Sequence, residues 1–61
     1  MQEEHYTIFE LPQNNQLIKG RLNKYNGIEL EMKYFSESQE FLILESGLRV
    51  AAIEVEIWKS I

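Results

Sequence analysis

From Ile28 to Phe35 apolar and polar residues take turns, with Ile28, Leu30, Met32 and Tyr34 on one parity and Glu29, Glu31 and Lys33 on the other. A pleated strand sends successive side chains to opposite faces, so this period leaves one face dry and one wet. That segment makes a sheet the frame for the rest of the chain.

The remaining segments fit the same frame. His5 to Leu11 is rich in β-formers and reads as a first strand after a frayed stretch, 1–4; it ends at Pro12, which cannot donate to a ladder. Gln16 to Asn23 reads as a second strand, with Ile18, Gly20 and Leu22 on one face and Lys19 and Arg21 on the other. A glycine inside a strand weakens it unless a bend or a close approach needs the missing side chain. The unbroken run Phe41-Leu42-Ile43-Leu44 reads as a strand buried on both faces. The alternative for 38–46 is a short helix, with Ser36 and Gln39 at capping-box spacing and Gly47 as its terminator. Leu48 to Trp58 reads as a last strand, with Ile53, Val55 and Ile57 facing one way and Glu54, Glu56 and Trp58 the other.

Register selects the loop between the second and third strands. A two-residue Asn26-Gly27 turn would set Leu30 opposite Asn23 and mix the faces. A three-residue loop, Tyr25-Asn26-Gly27, pairs Leu22 with Leu30, Gly20 with Met32 and Ile18 with Tyr34, and gives Gly27 the positive φ of a bulged turn. It also places Arg21 opposite Glu31 and Leu17 opposite Phe35.

The chain has 61 residues and no Cys, which makes it one small domain, 1–61, without disulfides. A single His leaves no ligand set for structural zinc. Domains of this size bury only about 60% of their unfolded surface, so efficient packing or self-association must compensate, and a homo-oligomer is expected. The acidic start, Met1-Gln2-Glu3-Glu4, is unlike a signal peptide, and no apolar run approaches the ~20 residues of a membrane span. A soluble, cytoplasmic protein with no membrane partner is expected.

Catalysis finds little to work with. All ten carboxylates are Glu, and the pairs Glu29/Glu31 and Glu54/Glu56 fall on wet strand faces rather than in an apolar pocket that would raise a pKa. His5 has no orienting Asp and no Cys nucleophile, and Gly20, Gly27 and Gly47 are too scattered for a phosphate loop. The reading is a non-enzymatic protein without metal or cofactor. Charge is uneven: four bases face two Glu between Lys19 and Lys33, while two bases face eight Glu elsewhere, for a net charge of −4. Lys19, Arg21, Lys24 and Lys33, with Tyr25 at the tip, form a candidate single-stranded nucleic-acid face, disfavoured by the acidic background. The opposite reading is an acidic inhibitor that imitates nucleic acid. A candidate protein interface comprises Trp58, Glu54 and Glu56 with the outer-face pair Phe35 and Leu17. Trp is enriched at interface hot spots, although strand curvature would equally tuck Trp58 over one end of the sheet.

The segment Ile18-Lys19-Gly20-Arg21-Leu22, the alternation Ile28–Tyr34, the run Phe41–Leu44, then Gly47 and Val50–Ile57 together resemble the strongly bent barrel of Sm-like domains. They are also similar to the C-terminal half of YolD-like proteins of bacteria and phages. The resemblance covers residues 16–57. It implies a fold, an all-β, five-stranded, strongly bent meander closing into a small SH3/Sm-like barrel, and it implies self-association. The basic N-terminal motif of YolD-like proteins is absent, and no RNA-binding residue carries over. The function expected is that of a small, self-associating protein-interaction module of bacterial or phage type.

Overall fold

The structure is a computed structural model that describes residues 3–23 and 28–61. It is all-β. Six strands, β1 (His5–Tyr6), β2 (Leu17–Leu22), β3 (Glu29–Phe35), β4 (Glu40–Ile43), β5 (Arg49–Ala51) and β6 (Val55–Ser60), form one antiparallel sheet in the order β1-β6-β2-β3-β4-β5. A 3-10 turn, Ala52–Glu54, joins β5 to β6.

Two period-two segments form strands, though Ile28 lies outside the third strand and is exposed, and Leu30 is only half-buried. β2 and β3 present Ile18, Gly20 and Leu22, and Met32 and Tyr34, to the inside. The Phe41–Leu44 run is a strand and not a helix: Phe41 and Ile43 are buried inside, Leu42 is half-buried on the outer face, and Leu44 lies exposed beyond the strand end. Tyr34 and Phe41 sit opposite each other on β3 and β4, with ring centroids 4.9 Å apart. Gly47 has φ 74°, the left-handed conformation its turn requires, and Asn15 adopts φ 67° before β2.

Three expectations are corrected. The first strand is two residues rather than seven. The single last strand, Leu48–Trp58, is instead β5, a 3-10 turn and β6, so the sheet has six strands and not five. The β2–β3 register differs by two from the expected one, with Ile18 opposite Met32, Gly20 opposite Leu30, and Arg21 opposite Glu29. An even offset keeps every side chain on its face, which is why the apolar pattern alone does not separate the two registers. Leu17 therefore faces Lys33 and not Phe35. The expected loop Tyr25-Asn26-Gly27 lies outside the described residues.

The sheet is curled but does not close into the expected barrel. Among the described residues β1 pairs only with β6 and β5 only with β4, leaving two free edges. The curl is forced by chain length. In a flat sheet β5 and β6 would stand four strand spacings apart, about 19 Å, whereas the link from Ala51 to Val55 reaches at most ~14 Å fully extended. Hydrogen bonds hold the link in place: Ala52 N–H donates to Gln39 O (2.9 Å), Asn23 N–H to Glu54 O (2.9 Å) and Asn23 Nδ2 to Ile53 O (3.1 Å).

Candidate functional site

A bulge in β6 decides which side chains reach the surface. Leu22 pairs with Val55 and Arg21 with Ile57, so Glu56 is the extra residue. One inserted residue inverts the parity beyond it. Val55 and Trp58 both point inward, and Ile57 points to the outer face between Tyr6 and Arg21, where it is nevertheless buried. Trp58 sits opposite Gly20 at 4% exposure and belongs to the core cluster. Gly20 is needed there: a Cβ would lie 3.1 Å from Met32 Sδ and 3.2 Å from both Ile18 Cδ1 and Val55 Cγ1.

Trp58 also shapes the N-terminal segment. Its Nε1–H donates to Glu10 O at 2.8 Å, His5 stacks on the ring at 4.5 Å, and His5 Nδ1 lies 3.1 Å from Glu10 Oε1. These contacts fold residues 5–10 back on themselves, with Phe9 N–H and Glu10 N–H both donating to Tyr6 O. The turn ends the β1–β6 ladder after two pairs and drives Ile8 and Phe9 outward, to 78% and 82% exposure. Ile53 in the 3-10 turn is likewise 77% exposed, against the expectation that it faces the core. Thr7, Ile8 and Leu11 on one side and Ala52 and Ile53 on the other line an open groove of about 280 Å³. Tyr6 and Phe9 pack edge to face at 6.4 Å. Thr7 is buried beneath it, its backbone N–H bonded to Glu56 O and its Oγ1 without a partner.

The expected interface is dispersed. Trp58 is internal, Glu54 lies in the 3-10 turn, and Glu56 occupies the bulge, 4.0 Å from Arg21 Nε. Phe35 and Leu17 lie on the outer face as diagonal neighbours, and Phe35 carries Arg49 at 4.8 Å and Lys33 at 5.8 Å from its ring centroid. Of the expected nucleic-acid face, Lys19, Arg21 and Lys33 share that outer face, while Lys24 and Tyr25 lie outside the described residues. Arg49 and Lys59 join them by register. Acids interleave: Glu29 is 3.0 Å from Lys59, Glu40 is 3.4 Å from Arg49, and Glu31 stands opposite Lys19. Such exposed pairs contribute ~0–1 kcal/mol each, but they cancel most of the local positive field.

The groove is the feature that period-two reasoning missed. Its residues look like strand or core residues in sequence. The usable signal was Trp58, apolar and out of phase with Ile57, which marks a break in the alternation. Among the described residues no group of three metal-ligating side chains converges, and no helix is long and apolar enough to cross a membrane. No protein-family model, curated protein or solved structure matches the chain.

Proposed function

We propose that this chain is a small, non-enzymatic protein-interaction module that works through the apolar groove between the 7–11 turn and the 3-10 turn. The observation that carries the reading is that Ile8 and Ile53, each more than three-quarters exposed, line that groove together with the exposed Leu11. Isolated exposed apolar residues are ordinary; a contiguous group of large ones marks a contact surface. Covering such a side chain gains about 1.5–3 kcal/mol, so three of them supply a usable anchor. The two turns are pinned to the sheet through Trp58, Asn23 and Gln39, which gives the groove a fixed shape before any partner arrives.

A photo-crosslinking residue placed at position 53 in native cells tests this. A discrete protein adduct at 53, absent when the same residue stands at position 45 in the turn between β4 and β5, at the other end of the β5 ladder, is the expected result. Equal adduct patterns at the two positions refute it.

The outer face supports a second reading, binding of single-stranded nucleic acid, because all five described bases lie there with an Arg-stacked Phe35. The interleaved Glu residues weaken it. Its test is a gel shift at low salt, where binding that fades steeply as salt rises is required.

A further inference from the structure

Around the groove acids outnumber bases. Glu10 lies between Phe9 and Leu11, Glu54 follows Ile53, and Glu56 O receives the Thr7 N–H; all three side chains are exposed. Among the described residues the bases facing this rim are Arg21, 4.0 Å from Glu56, and His5, 3.1 Å from Glu10. The other described bases lie on the outer sheet face, three of them in β2, β3 and β5 and one beside Glu29.

We infer that the groove docks a cationic amphipathic segment of a partner protein, its apolar side chains seated on Ile8, Leu11 and Ile53 and its Lys or Arg side chains on Glu10, Glu54 and Glu56. The inference rests on the interaction reading above and adds the partner's chemistry. Apolar anchors supply the affinity, and the acidic rim selects sign and register, as charged rims do at protein interfaces.

Charge also argues against other occupants. A second copy docked isologously would bring two acidic rims together, because a two-fold axis sets a surface against itself. A head-to-tail contact would press the groove onto the outer sheet face, where Lys19, Lys33 and Arg49 would lose water to an apolar surface. An anionic bilayer would be repelled by Glu10 and Glu54.

The test is selection from a random peptide library on the immobilised full chain, with affinities of the enriched peptides then measured in solution. The expected peptides combine apolar residues with flanking Lys or Arg. Their affinity drops about tenfold or more in Ile53→Ser. It drops about threefold in Glu10→Gln and in Glu54→Gln, and weakens as salt rises. Gln at position 10 keeps an oxygen for His5, and thermal unfolding of each variant verifies the fold. Neutral or acidic peptides that depend on Ile53 would overturn the charge inference and leave the interaction reading standing. So would sedimentation of the wild type as a dimer that Ile53→Ser converts to monomer. Enriched peptides indifferent to Ile53, or no enrichment at all, would overturn both.

Discussion

Two residues facing each other, Gly20 and Trp58, hold the molecule's inside and its surface to one design. Trp58 stands opposite Gly20 in a core where a Cβ at position 20 would crowd Met32, Ile18 and Val55, and its Nε1–H fixes the turn that exposes Ile8 and Phe9. Gly20→Ala would force three neighbours, Met32, Ile18 and Val55, to yield at once. Overpacking of that kind costs about 1–3 kcal/mol, and a lower urea midpoint with an unchanged m-value is the expected outcome. An unchanged midpoint would mean that the core has slack the coordinates deny. Trp58→Ala removes a buried indole and should cost about 3–5 kcal/mol, enough to unfold most of a domain this small. Trp58→Phe separates the two roles. It keeps most of the packing and loses the hydrogen bond to Glu10, so it should cost less than Trp58→Ala and speed amide exchange at Phe9 and Glu10. Protection unchanged at those two amides would show that the indole N–H does not hold the turn.

At the scale of elements, the legible part of the fold is the part where alternation and burial share one period. β2 and β3 follow from their residue patterns because each has a single dry face, and β4 follows from its unbroken apolar run, although that run reads as buried on both faces and is buried on one. β6 does not follow, because Ile53, Val55 and Ile57 alternate straight through a 3-10 turn and a bulge, and only Trp58, out of phase beside Ile57, signals the break; both features are set by what the chain meets in space. Glu56 pays no penalty in sequence for being the extra residue, since a polar side chain suits either a wet strand face or a bulge. The register of β2 against β3 was equally out of reach, as a shift by two preserves every face. The 7–11 turn was hidden for a different reason: its β-forming residues describe a strand, and only the distant Trp58 ends it. The bulge carries a prediction. Deleting Glu56 would leave Val55 and Trp58 two positions apart, on one face of a regular strand, so both keep their places in the core. Cooperative thermal unfolding should survive, with a midpoint lowered by the loss of the Thr7 N–H bond to Glu56 O, worth about 0.5–1.5 kcal/mol; loss of cooperativity would show that the bulge itself is needed to build β6. The same hairpin holds Gln39 at φ 53° with its carbonyl accepting from Ala52 N–H. Left-handed backbone costs an ordinary residue about 1–2 kcal/mol and Asn less, so Gln39→Asn should raise the unfolding midpoint.

Across the whole molecule, apolar residues separate into two populations with different work. Ile18, Met32, Tyr34, Phe41 and Val55 are enclosed by the curled sheet and hold it together. Ile8, Phe9 and Ile53 are nearly as exposed as they would be in an unfolded chain, so they add little to the difference between folded and unfolded states. Replacing all three by Ser should therefore change unfolding free energy little, within about 0.5 kcal/mol per site, as surface substitutions usually do. The same replacement should abolish docking at the groove, because it removes the area that a partner would cover. Binding and stability would then part company in one variant, measured by denaturant unfolding and by peptide affinity on the same preparation. A steep loss of stability in the triple Ser variant would place these side chains in a core that the coordinates leave open, and the groove would no longer be a surface kept for a partner.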